Sequence, residues 1–184
     1  MNTLPTSLAE LQQLHAAGAK LKYLLFYGHA PEPDGRIGAG CLSQWWPSPF
    51  EVDGQIFATA EHWMMWSKAM VFGDTDSAEQ VLASGHPRQA KALGRQVQGF
   101  DLAVWDKERF AVVVAGNVAK FSQHPDLKTF LVGTQKRVLV EASPTDRVWG
   151  IGLAANDERA ADPGQWRGRN LLGFALMQAR EQLA

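Results

Sequence analysis

The stretch AEHWMMWSKAM, residues 60–70, constrains this chain more than any other. Its spacing predicts a helix capped by Thr59 and running to about Phe72, where Gly73-Asp74 stops it. At 100° per residue, Glu61, Met64, Met65 and Lys68 share one stripe, while His62, Trp63 and Trp66 take the other sides. A helix that is apolar nearly all round is a buried helix. A carboxylate and an amine are therefore expected inside the protein, where each is costly unless it is paired or its pKa moves. Two turns, roughly 10 Å along the axis, separate them. That is too far for an easy mutual ion pair. The gap could hold a small substrate; alternatively, each group pairs separately with an Arg or Asp elsewhere.

The rest of the chain alternates short helical patterns with stops. Ser7 to about Ala17 has helical spacing and ends near Gly18, and Lys22 to Tyr27 reads as a strand. The Gly- and Pro-rich stretch Ala30–Gly40 should be a mobile surface loop. Phe50 to Phe57 is expected to form two short strands around Asp53-Gly54, a hairpin signal. Further helices are predicted at 75–84, at 87–95 with Pro87 in the first turn, at 101–122, and from Pro125 to about Leu131. Arg137 to Glu141 has the β-branched content of a strand. Asn170 to Leu183 repeats apolar residues at Leu171, Leu172, Ala175, Leu176, Ala179 and Leu183, the mark of an amphipathic helix. The pattern is that of an α+β fold, a predominantly helical single domain with a small β-sheet. Residues 1–20 are expected to form an N-terminal helical extension and residues 21–184 the body.

Composition removes several classes of function. The 184 residues carry a formal net charge of -1 with no acidic or basic block, which argues against a polybasic nucleic-acid tail or a membrane-surface helix. No apolar run of transmembrane length and no secretory leader pattern is seen. The lone Cys41 excludes an internal disulfide framework and fits a reducing cytoplasm, the expected location. The five histidines form no His-Glu-x-x-His, and one Cys cannot build a thiolate zinc site, so no metal is expected. Gly35–Gly40 lacks the GxGxxG order and no helix is expected after it, there is no Walker A sequence, and Ser43 lacks a nucleophile-elbow context. No cofactor is expected.

Two further features carry weight. Seven Trp is unusual for core packing alone, since indoles also suit stacking on planar ligands; any one of them is more simply core or rim. The stretch from Trp149 to Asn170 combines Gly150, Gly152, Gly164 and Gly168 with Asn156, Asp157, Asp162, Arg167 and Asn170. Loops this long inside a compact domain are usually functional or disordered. Its glycines would let the backbone approach a ligand beside the Trp149 indole. The competing reading is a surface loop tied down by Asp and Asn turn bonds.

Taken in order, Phe26-Tyr27-Gly28-His29, LSQWWPSPFEVDG from Leu42, TAEHWMMWSKA from Thr59, FGD at Phe72, AKALGRQVQGFD from Ala90, Trp105, KFSQHPDL from Lys120, LVEASPTDRVWGIGL from Leu139 and NLLGFALMQAR from Asn170 resemble the YbiA-like, or NADAR, family. The resemblance runs from Phe26 to Leu183. The chain departs from the commonest pattern at Ser43-Gln44-Trp45, where Ser-Asn-Phe is typical, and at Trp63-Met64-Met65, where Tyr-Phe-Gln is typical. Glu61, Lys68 and Trp149-Gly150 are retained.

The resemblance implies the family's own mostly helical fold and the breakage of N-glycosidic bonds to ribose phosphates. One branch hydrolyses ribosylamino-pyrimidine phosphates, early riboflavin intermediates; another removes ADP-ribose from guanine. Such a bond develops positive charge on the sugar as it breaks, which a nearby carboxylate stabilises. Glu61 is the candidate, with Lys68 contacting or attacking the anomeric carbon. Trp105, Trp149 or a residue of the Trp45-Trp46 pair would stack on the leaving base. Arg95, which lies within a matched string, is preferred over Arg36 and Arg167 for phosphate. Gly150 and Asn170 complete the expected substrate-binding set. The expected partners are a ribose-phosphate or ADP-ribosyl substrate, including ADP-ribosylated guanine in nucleic acid, and no membrane. The rival reading is a module that binds NAD or ADP-ribose without turning it over, which would have little use for an acid and an amine buried on one face.

Overall fold

The computed structural model describes residues 4–184. In chain order its elements are α1 (Leu8–Ala16), β1 (Tyr23–Phe26), β2 (Phe50–Val52), β3 (Gln55–Phe57), α2 (Ala60–Val71), α3 (Thr75–Ala83), α4 (Pro87–Gly94), α5 (Leu102–Gln123), α6 (Pro125–Gly133), β4 (Val138–Glu141) and α7 (Leu171–Leu183). The α+β, mainly helical class expected from the sequence is what the chain adopts. The strands form two separate two-stranded sheets rather than one small sheet. A 3₁₀ turn at Ala39–Leu42 follows the Gly-rich loop, where no helix was expected, and two more 3₁₀ turns, Glu158–Ala161 and Pro163–Gln165, break up the polar stretch before α7.

The chain divides into two compact units, one built from the two terminal segments up to Ser43 and from Asp126 onward, the other from Gln44–Pro125. In the terminal unit β1 and β4 pair in parallel, Tyr23 opposite Val138 and Phe26 opposite Glu141. Val138, Leu139 and Val140 are fully buried, as expected for a strand covered on both faces. The helix α7 lies directly on β4 because Gly173 has no side chain: a Cβ there would collide with the Leu139 carbonyl. Asn170, in the left-handed region at φ 53°, ends the approach to α7, and its amide is fully buried.

In the Gln44–Pro125 unit, β2 and β3 form the expected hairpin. Asp53 (φ 50°) and Gly54 (φ 80°) are both left-handed, as a two-residue type I′ turn requires. Phe50 and Phe57, paired across the hairpin, are buried and pack with Trp63 and Trp66 of α2. The Phe57 ring meets Trp63 edge-on at 5.1 Å and Trp66 at 5.3 Å. Each such buried aromatic contributes about 1.5–3 kcal/mol. Trp63 also donates its indole N–H to the Val112 carbonyl of α5 at 2.7 Å. These two indoles are packing residues.

Candidate active site

The helix α2 starts as its sequence predicts. The Thr59 hydroxyl accepts the His62 N–H, and Glu61 stands in the first turn, where the helix dipole favours a carboxylate. Glu61 is 2% exposed, and Met64 and Met65 are buried beside it on the stripe. Its own N–H is donated to the Gln44 carbonyl at 2.9 Å. The Gln44 side chain reaches in the other direction: its Oε1 accepts from Asn117 Nδ2 of α5 at 3.0 Å, and Asn117 Nδ2 also donates to Val113 at 2.8 Å. Gln44 and Asn117 are both buried, and Gln44 Nε2 and Asn117 Oδ1 have no hydrogen-bond partner among the described residues. The residue whose carbonyl holds the Glu61 backbone thus belongs to a buried amide pair with a spare donor and a spare acceptor, an arrangement that costs stability unless something uses it.

Lys68, two turns on, is half-buried. Its amine donates to the Gly94 carbonyl at the end of α4 at 2.6 Å and lies 4.1 Å from the centroid of the Phe100 ring. Burial pushes its pKa down, the direction expected from the apolar stripe. Gly94 also lies against Met65: a Cβ there would run into the Met65 sulfur. Arg95, the next residue, is exposed. So α4 brings Arg95 beside the carbonyl that holds Lys68. Trp45, which follows Gln44, is half-buried and meets His86 edge-on at 6.0 Å. Trp105 is buried in the first turn of α5 at 6% exposure.

The remaining predicted residues lie together in the terminal unit. Asp146 Oδ1 accepts the N–H groups of Val148 and Trp149, each at 2.8 Å, fixing the turn that presents the half-buried Trp149. The Gly150 carbonyl accepts from Asn170 N at 3.1 Å and the Trp149 carbonyl from Leu172 N at 3.1 Å. Gly150 approaches the fold itself: a Cβ there would sit 2.9 Å from the Glu141 carbonyl oxygen. The Asn170 amide is engaged at both ends, accepting from Glu141 N and donating to the Leu139 carbonyl, both at 2.9 Å. The stretch is therefore tied down by Asp and Asn turn bonds, with Asp157 and Asp162 capping the 3₁₀ turns.

Sequence reasoning missed Gln44 as a partner of Glu61, although it stood at a noted departure. It also missed Asn117, whose signal was a lone amide in the apolar run AVVVAGNVA. Phe100 and Gly94 carried no local signal. No group of three or more His, Cys, Asp or Glu able to hold a metal occurs among the described residues. None of the helices of the described residues is long and apolar enough to cross a membrane.

The NADAR domain model matches residues 25–184. The chain belongs to the NADAR family. Among its relatives, N-glycosidase R617 of Acanthamoeba polyphaga mimivirus is 40% identical over 166 residues, 88% of this chain and 96% of the relative. N-glycosidase YbiA of Escherichia coli (strain K12) is 32% identical over 136 residues, 74% of this chain and 76% of the relative. The NMR structure of the E. coli protein YbiA superimposes with a TM-score of 0.66 at 25% identity, covering 98% of this chain and 93% of that one. The expected YbiA-like fold is the NADAR fold found here.

Proposed function

We propose that this NADAR chain hydrolyses the C1′–N bond of a ribose-phosphate N-glycoside, with Glu61 and Lys68 as its catalytic residues. N-glycosidase activity in the broad sense follows from the family and from the name its relatives share. The observation that carries the site is Glu61 itself, a carboxylate 2% exposed in the first turn of a buried helix. A carboxylate at a helix N-terminus is the charge the dipole there accommodates, and it suits stabilising the positive charge that grows on the sugar as the bond to nitrogen breaks.

Lys68 supplies the second function. An amine whose pKa is lowered by burial is closer to nucleophilic readiness at neutral pH. Once the ribose ring opens, with O4′ taking up a proton, the free pair of the Lys68 amine can add to C1′; the base then leaves with the electrons of the C1′–N bond and a proton, and water hydrolyses the resulting Schiff base to free the sugar and Lys68. The plainer course is direct attack of water on C1′, with Lys68 holding a hydroxyl or phosphate. Arg95, which follows in sequence the Gly94 whose carbonyl accepts from Lys68, is the proposed cation for a phosphate. Trp45, Trp105 and Trp149 are the proposed base-stacking surfaces, with Gly150 and Asn170 shaping the Trp149 turn.

The proposed substrates are the ribosylamino-pyrimidine phosphates of riboflavin synthesis and ADP-ribosyl-guanine. Incubating the protein with each, followed by mass analysis of released sugar and base, decides between them. Release of ribose 5-phosphate or of ADP-ribose assigns the branch. Saturable binding of ADP-ribose with no release from either substrate would instead make the chain a binding module.

A further inference from the structure

Phe100 is 44% exposed. It is nevertheless held in place. Gly99, at φ 70°, turns the chain in a conformation that suits glycine, Gln98 N is tied to Asp74 Oδ2 at 2.8 Å, and Asp101 caps α5 immediately after it. The ring packs edge-on against Phe72 at 5.4 Å, and its centroid lies 4.1 Å from the Lys68 amine. Lys68 has two partners among the described residues, this ring and the Gly94 carbonyl at 2.6 Å. Both favour an ammonium over a neutral amine, while burial opposes it. The ionisable groups on the elements around it are Glu61 and His62 on α2, Asp74, Asp76 and Glu79 capping or on α3, His86, Arg88, Lys91 and Arg95 on or at the ends of α4, and Asp101, Asp106, Lys107, Glu108, Arg109 and Lys120 capping or on α5. None of them forms an ion pair with Lys68.

We infer that Phe100 is a positioning residue for Lys68, its ring holding the amine as an ammonium against the Gly94 carbonyl until substrate takes its place. The inference rests on the reading of Lys68 as the reacting amine, and it separates two tasks. Burial makes the amine ready to lose its proton; the ring and carbonyl fix where it waits.

Trace acetylation with acetic anhydride from about pH 7 to about pH 11, read as the mass of the Lys68 peptide, reports the free-amine fraction in the unliganded protein. Phe100→Leu keeps an apolar cover and removes the ring's quadrupole, so the half-point for Lys68 should fall by about half a pH unit, about threefold more free amine at a given lower pH. Phe100→Tyr should keep the parent half-point. An unchanged or raised half-point in Phe100→Leu overturns the inference, whatever turnover does. A lowered half-point with an unshifted pH–rate profile upholds Phe100 as the holder of Lys68 and removes Lys68 as the reacting amine.

Discussion

His62 and Thr59 hold each other twice: Thr59 Oγ1 lies 2.8 Å from His62 Nδ1 and accepts the His62 backbone N–H at 3.4 Å. The Ser84 carbonyl, which can only accept, lies 3.1 Å from Nε2. Nε2 therefore carries the proton, and Nδ1 accepts from the threonine hydroxyl. The neutral ring is fully satisfied. Burial first, and the nearby His86 to a lesser degree, hold the pKa below 6.5 against the opposite pull of the Ser84 carbonyl.

Stability from this lock is thus fully present above pH 6.5 and is lost as pH falls through the lowered folded value. Thermal melts should decline from about pH 6 downward, with this one proton contributing at most about 1.4 kcal/mol per pH unit. His62→Gln should remove that part of the acid limb. Superimposable acid limbs in parent and variant would exclude His62 as the source.

Gly116 sits in the middle of α5, where alanine would ordinarily favour the helix by about 1 kcal/mol. Here a Cβ would strike the Trp63 indole, which is pinned by its bond to Val112. Overpacking a rigid ring costs about 1–3 kcal/mol and endangers that bond as well, so the clash outweighs the propensity. Urea titration of Gly116→Ala should show a net loss of about 2 kcal/mol, partly recovered with Trp63→Phe. A variant as stable as the parent would mean α5 can shift away from Trp63.

Asn170→Ala leaves the Glu141 N–H and the Leu139 carbonyl without their side-chain partners and puts at φ 53° a residue that tolerates the left-handed region less well than asparagine does. A loss of about 2–4 kcal/mol is expected by denaturant titration. Asn170→Gly relieves only the backbone and should recover about 1 kcal/mol of it. Unchanged stability together with a raised KM would show that Asn170 serves substrate in preference to the fold.

Borohydride added during turnover should trap a sugar adduct on Lys68, seen as a mass increase on its peptide. If no adduct forms and Lys68→Ala turns over near the parent rate, the covalent course is excluded and water attacks directly. Glu61→Gln keeps the shape and removes the charge, so kcat should drop by about 10²–10³ with folding retained. Full activity in that variant would overturn the site assignment. Turnover should be unaffected by EDTA.

Local chemistry was legible wherever one residue type forces a conformation. Thr59 caps α2, Pro87 opens α4, and Asp53-Gly54 makes the turn between β2 and β3. The burial of Glu61 could be read from the all-round apolarity of its helix. Pairings between distant segments were not legible. Nothing near Tyr23 names Val138 as its neighbour, and nothing near Lys68 names Gly94 or Phe100. Gln44 and Asn117 were hidden for a related reason: a buried amide looks the same in sequence as a solvated one until its partner is known.

The parallel pairing of β1 with β4 sets a timetable for folding. Residues 27–137 separate the two strands, and joining the ends of a disordered loop of about 110 residues costs about 4 kcal/mol. During synthesis β1 leaves the ribosome roughly 6 to 20 seconds before its partner exists. All of Gln44–Pro125 is translated in that interval. A nascent chain that folds this segment first shortens the loop that β1 and β4 must later close. The helix bearing Glu61 and Lys68 can therefore be in place while β4, the partner of β1, is still being made.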